Sequence, residues 1–448
     1  MLLEYISIPE LNFSSSFKTG WKKIQRLNNF DRFMTMFWLV GPFIYLLERS
    51  PADIWLTLIA LIFLIRCCIK KDWYWTSQPW FKLALALWMF GLFSGLTSPD
   101  PLFSFSQGFV WIRFPLYAAA AQVWLARDRD IRIIMLLSML IGMLIMCTIL
   151  IAETIIEPKS RLTWPYGDLV PGGYVAKFSL PLFCVLIAIA VSRKTSAGIY
   201  SGLLGILSIS VSLLTGERGN FVIRACGGLL AGLVWKPKMV LYFILFIIEV
   251  FAVLVIATMR PDLGDRFSKQ FIQNIPGPWN SAVIIKSNDV DDVNIQNKTK
   301  TNPYWGAWRG GIQQSLTTPI KGIGPSGTRK TCKDLEKEGF EWLPGKNYCG
   351  NHPHNFYIQL FAETGIIGLT IGIVMFGSII LTCYKARKTN LNCPMSATAF
   401  VVPFALFFPI QQFGSFYGQW GNLFTWFAIA FAISQFQDWR ITSNNSEK

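Results

Sequence analysis

The sequence predicts an all-α polytopic membrane protein of about 12 transmembrane helices, with a large loop between helices 9 and 10. Three observations carry that prediction. Apolar residues make up 52% of the 448 positions and charged residues only 15%, against roughly 25% charge in ordinary soluble domains. Mean hydropathy is +0.40. The apolar residues also fall in blocks long enough to cross about 30 Å of hydrocarbon at 1.5 Å rise per residue. A soluble chain would leave that surface in water, and a transmembrane β-barrel would show short alternating segments instead.

The blocks follow one another in order. The first, 33–49, comes after Lys18, Lys22, Lys23, Arg26 and Arg32, with no signal-peptide core before it, and is expected to act as an uncleaved insertion signal. The second, 52–69, opens after Ser50-Pro51 and stops at Lys70-Lys71, and the third, 79–96, opens at Pro79. The fourth and fifth, 105–123 and 130–151, are separated by Arg127, Arg129 and Arg132. Then come 173–191, 198–215, 219–235 and 238–258. A polar connection, 259–354, precedes the last three blocks, 355–382, 396–411 and 417–436. Only a few polar residues divide the pieces around 198–235 and 396–436, so re-entrant segments are an alternative there. The chain thus divides into an N-terminal bundle (1–258), a loop domain (259–354), C-terminal transmembrane helices (355–436) and a tail (437–448).

The formal net charge is +15, from 41 Lys and Arg against 26 Asp and Glu. A nucleic-acid binder would gather that excess on one face; here it is spread over short connections, which excludes nucleic acid as a partner and gives the charge a topological meaning. Basic residues in short loops stay cytoplasmic. The N-terminus, Lys70-Lys71, Arg127 to Arg132, Arg193-Lys194, Lys236 with Lys238, and Lys385 to Lys388 occupy alternate connections. Both termini are expected in the cytoplasm, and 259–354 on the other side. Most cysteines lie in or beside spans as small apolar fillers. Cys332 and Cys349 sit in the exported loop, where a disulfide is permitted and would stiffen the segment ahead of the histidines.

The two histidines, His352 and His354, flank Pro353 where the long loop enters the tenth span. Pro353 suits a first helical turn, so Asn351 or His352 is expected to cap it. Asn355, Gln359 and Glu363 recur every four residues and form one polar face in an apolar segment, a costly feature in a membrane unless it lines a cavity or meets partners. A histidine above that face can serve as general base; interfacial capping is the alternative. His-x-His without Cys or Asp at ligand spacing does not point to a metal. Arg218 lies between glycines in Gly216-Glu217-Arg218-Gly219 and can clasp a diphosphate bidentately, the alternatives being a headgroup anchor or a partner for Glu217. Arg224, deeper in the span, must snorkel, pair or line a cavity. Arg113 is either a third anion contact or half of an interhelical ion pair, with Glu153 or Glu217 as candidate partners. Arg309 follows Trp308 in a helical run, and the glycines of Pro319 to Gly327 lack the Lys-Ser/Thr ending of a nucleotide loop.

An arginine cluster beside one candidate base suits transfer from a lipid-linked diphosphate. The arginines meet charge on the leaving diphosphate, and the histidine takes a proton from the acceptor hydroxyl. Such a donor is already activated, so no cofactor is expected. A transporter or flippase of the same lipid would share the arginines but would not need the poised histidine, and no inverted repeat is evident.

On these residues the chain resembles the O-antigen ligase and O-antigen polymerase superfamily of bacterial inner membranes. The specific block is His354-Asn355-Phe356-Tyr357-Ile358-Gln359-Leu360 with Glu363-Thr364-Gly365-Ile366-Ile367-Gly368; Gly216 to Gly219, Trp308, Pro319 and Gly322 to Gly324 are weaker matches. The likeness covers about 200–380 by motif and the whole chain by topology. It implies transfer of a glycan from undecaprenyl diphosphate to lipid A-core or another glycan acceptor at the periplasmic face, without metal or nucleotide. His354 would be the base and arginines equivalent to Arg218 would hold the diphosphate. The large loop and span count favour a ligase over a polymerase. Members often carry an arginine shortly before the tryptophan matched by Trp308, where this chain has Tyr304 and Trp305; Arg309 or Arg266 is expected to substitute.

Overall fold

A computed structural model describes residues 13–167, 171–192, 196–235, 251, 258, 303–330, 352–389, 393–409 and 414–436. Among these residues all regular structure is helical. In chain order it comprises α1 (Phe13–Gln25), α2 (Asn29–Leu39), α3 (Gly41–Leu47), α4 (Arg49–Lys70), α5 (Pro79–Leu96), α6 (Pro101–Trp111), α7 (Arg113–Trp124) and α8 (Arg129–Ile156). There follow α9 (Leu180–Ser192), α10 (Ser196–Leu214), α11 (Arg218–Trp235), α12 (Pro303–Thr317), α13 (Phe356–Thr389), α14 (Pro394–Thr398), α15 (Val401–Leu406) and α16 (Trp420–Ile433).

Among the described residues α4, α5, α8, α10 and α13 are each long and apolar enough to cross a membrane, and α2 with α3, bent by 46°, forms a sixth if the pair is one span. This is a multi-pass membrane protein. The expected fourth block is divided at Ile112 into α6 and α7, and the sixth enters through a π-helical turn, Tyr174–Phe178. The ninth block, apart from residues 251 and 258, lies outside the described residues, as do most of 259–354 and the tail.

Local chemistry sets the helix starts. The Asn28 side chain accepts from the Asp31 amide at 2.9 Å and Asp128 from the Asp130 amide at 2.7 Å, satisfying donors that a first turn leaves open. Pro79, Pro101 and Pro394 open α5, α6 and α14, where the missing N–H costs nothing. Aromatic rings fill the middle of the bundle: Trp38 stacks on Tyr117 at 4.5 Å and Phe178 on Phe427 at 3.9 Å.

The contacts sort the connections into two ends. Arg127 pairs with Asp31, Arg132 donates to the carbonyls of Ala126 and Ser434, and Arg387 donates to the Val234 carbonyl. At the opposite end Lys330 pairs with Asp100, Arg113 with Asp53, and Arg161 with Glu217.

Candidate functional site

The first half of α13 carries the polar face expected from the four-residue spacing. Asn355 Oδ1 accepts from the amides of Tyr357 and Ile358 at 2.9 and 3.2 Å, and its Nδ2 donates to the Pro409 carbonyl at 2.7 Å. Asn355 is therefore the N-cap, three residues or more beyond the expected position at Asn351 or His352. The reason is His354, whose φ of +56° is left-handed and cannot extend the helix backwards. One turn deeper, Gln359 donates to Glu363 at 3.0 Å and to Ser415 at 2.8 Å, and accepts from the Phe416 amide at 2.7 Å. Glu363, fully buried, also accepts from the Ser326 amide at 2.9 Å and the Thr328 hydroxyl at 2.7 Å. The polar face thus meets partners from two other segments.

Immediately beyond Glu363 the helix breaks, because Gly365 takes φ +62° and ψ −169°. The glycine-rich segment after α12 fills the break. The Ile366 amide donates to the Pro319 carbonyl at 2.8 Å, the Ile323 amide to the Ala362 carbonyl at 3.0 Å, and the Gly324 amide to the Glu363 carbonyl at 2.9 Å. Backbone groups freed by a broken helix in hydrocarbon need such partners. Gly322, at φ +73°, lies so close to the Glu363–Thr364 peptide that a Cβ would overlap it. The glycines that faintly suggest a phosphate cradle in the sequence are here required for this close approach.

The two histidine rings lie with centroids 4.1 Å apart. Burial, reinforced by His354 and by the positive charge of Arg329, pushes His352 down to about 3 from 6.5, so its ring is neutral; its Nε2 is buried without a hydrogen-bond partner. Helix α12 supports this turn from one side: a Cβ on Gly311 would sit 2.8 Å from Pro353 Cγ and 2.7 Å from Ile358 Cγ2. Arg309 lies on the same helix. Arg329 was not singled out from the sequence; its nearness to His352 follows from the Glu363 bonds to Ser326 and Thr328 just before it.

The remaining expected residues divide. Arg218 is the first residue of α11. Its neighbour Glu217 accepts from Arg161 at 2.6 Å and also from Asn220. Arg224 is fully buried, 4.0 Å from the centroid of the Phe183 ring and bonded to Ser208. Arg113 pairs with Asp53 at 2.8 Å, not with Glu153 or Glu217. Glu153 is occupied by the amides of Thr163 and Trp164, and Asp53, inside an apolar block, gave no sequence signal. Cys332 and Cys349, like Arg266, lie outside the described residues. Among the described residues no group of three or more His, Cys, Asp or Glu is placed to hold a metal ion.

The segment that assembles this region, residues 203–373, matches the family model described as O-antigen ligase. Over that segment the chain is similar to the O-antigen ligase family. No curated protein matches it. The O-antigen ligase segment takes in Glu217, Arg218, Arg224, Arg309, both histidines and the Asn355–Glu363 face, and leaves Arg113 outside.

Proposed function

We propose that this protein is a ligase-type glycosyltransferase that moves a glycan from undecaprenyl diphosphate to a lipid A-core acceptor at the periplasmic face of the bacterial inner membrane. In this reading both termini are cytoplasmic and about 12 helices cross the membrane. The observation that carries it is His354, held in a left-handed turn above an N-capped half-helix whose polar side chains are all engaged. Backbone strain of this kind concentrates at functional sites, and a fixed imidazole is what a general base requires. His354 takes the proton from the acceptor hydroxyl as its oxygen attacks the anomeric carbon, and undecaprenyl diphosphate leaves with the bonding electrons. Arg218 and Arg309 meet the charge on that diphosphate, whereas Arg224, buried against Phe183 and Ser208, and Arg113, paired with Asp53, serve the packing of the bundle. Arg329, whose positive charge acts on His352, joins the set. His352, kept neutral, places no competing charge beside the base. Asn355, Gln359, Glu363 and Glu217 hold the surrounding backbone and arginines.

The test is glycan transfer by purified parent and His354→Ala proteins, each supplied with undecaprenyl-diphosphate glycan and lipid A-core, with donor binding followed in parallel. The expected result is loss of transfer with donor binding intact. A parent that lengthens the donor glycan instead is an O-antigen polymerase. Binding without product from either protein, together with movement of donor across vesicles, would make it a flippase.

A further inference from the structure

Helix α1 presents three different faces, and only two are accounted for by the other described residues. Gly20 and Ile24 are buried against α8: a Cβ on Gly20 would sit 2.8 Å from Ile134 Cδ1 and 3.0 Å from the Asp130 carbonyl oxygen. On the adjoining side Lys23 is held by Asp128 at 2.8 Å and Asp130 at 2.7 Å. These contacts pin the helix to the start of α8, at the end of the bundle where Arg127 and Arg132 lie.

The other flank is exposed and apolar. Phe17 and Trp21, one turn apart, stack at 6.3 Å and are 43% and 37% exposed. Beside them Lys18 and Lys22, also one turn apart, are exposed, as is Arg26 just past the helix end. Among the described residues neither lysine makes an ion pair, whereas Lys23 takes both available carboxylates. A rigid aromatic pair bordered by a cationic row, on a helix fastened beside spanning helices, is the arrangement that lies in a bilayer interface. The rings enter the acyl boundary, while the ammonium groups stand at the level of the phosphates.

We propose that α1 is an anionic-phospholipid site, with Phe17 and Trp21 seated in the acyl boundary and Lys18 and Lys22 binding phosphoglycerol-type headgroups. Charge complementarity selects the occupant: two unpaired ammonium groups favour a net-negative headgroup, and a zwitterionic one offers no such gain. The site is independent of the glycan-transfer reading, since it occupies the other end of the bundle.

Full-length parent and Lys18→Gln/Lys22→Gln proteins, delipidated in a neutral detergent, would be titrated with phosphatidylglycerol and separately with phosphatidylcholine, with bound lipids counted by native mass spectrometry. At about 1 kcal/mol per surface lysine, the double variant should bind phosphatidylglycerol about tenfold or more weakly, with phosphatidylcholine unchanged. Lys23→Gln should leave that preference intact. Both lysines point away from the packed face, so the double variant should melt with the parent. A parent that binds the two lipids alike, a double variant that keeps the parent's phosphatidylglycerol affinity, or one that changes oligomeric state without changing lipid preference would overturn the proposal.

Discussion

Replacement of Glu363 probes the joint between α13 and the glycine-rich segment. Its carboxylate accepts three hydrogen bonds, from the Ser326 amide, the Thr328 hydroxyl and Gln359. In Glu363→Ala the three donors fare differently. The Thr328 hydroxyl can rotate, and Gln359 keeps Ser415 at 2.8 Å, but the Ser326 amide has nowhere to turn. One orphaned buried N–H costs about 1–3 kcal/mol, and the space left by the side chain adds a cavity cost of comparable size, so a total of about 3–5 kcal/mol is expected. Glu363→Gln keeps the shape but puts an NH2 where an oxygen was. That group must face either the Ser326 N–H or the Gln359 amide, and Gln359 cannot flip without losing the Phe416 amide. One contact is therefore lost, at about 1–2 kcal/mol. Thermal unfolding in detergent at a fixed scan rate should rank parent above Glu363→Gln above Glu363→Ala. Hydrogen exchange should show the Ser326 amide opening faster in both variants. An alanine variant that melts with the parent, or one that outlasts the glutamine variant, would refute the account of this carboxylate as the clamp.

Further outcomes follow from the same contacts. Asn355→Ala removes an N-cap and the bond to Pro409, and should lower stability by about 1–2 kcal/mol and slow transfer, read by melting and by product formation. Gly311→Ala drives a methyl into Pro353 and Ile358; it should cut transfer strongly, read by product formation, because it pushes the histidine turn away from the helix that carries Arg309. Acidification should destabilise the fold through His352. Its basicity falls to about 3 in the folded chain from 6.5, so the unfolded chain takes up the proton first, and stability is lost as the pH falls from about 6.5 to about 3. Unfolding of His352→Gln over that range should show a shallower pH dependence than the parent. Arg329→Gln should weaken donor binding in a titration with undecaprenyl diphosphate, while melting stays within about 0.5 kcal/mol of the parent, as for other exposed positions.

Much of the protein was legible in its one-dimensional pattern. Long apolar blocks demand helices, because only a helix satisfies its own backbone in hydrocarbon, and α4, α5, α8, α10 and α13 occupy the blocks that demanded them. The interval of four residues between Asn355, Gln359 and Glu363 placed them on one face because the helical repeat is local. The helix break at Gly365 was not legible, since a glycine in an apolar run does not reveal whether another segment enters beside it. The capping residue was misplaced by the same limit: Pro353 permits a helix start, but the left-handed turn at His354 moves it to Asn355.

The sequence by itself determined a membrane-embedded helical protein, the histidine block ahead of a polar half-helix, and the likeness to the O-antigen ligase superfamily, because hydropathy, helical period and motif spacing are properties of neighbouring residues. Only the tertiary structure decided which distant groups meet. It gave Arg113 to Asp53, Glu363 to Ser326 and Thr328, and brought Arg329 towards His352. Buried charges and carboxylates must find partners wherever packing supplies them, and packing here joins segments tens of residues apart, on which local pattern has no hold.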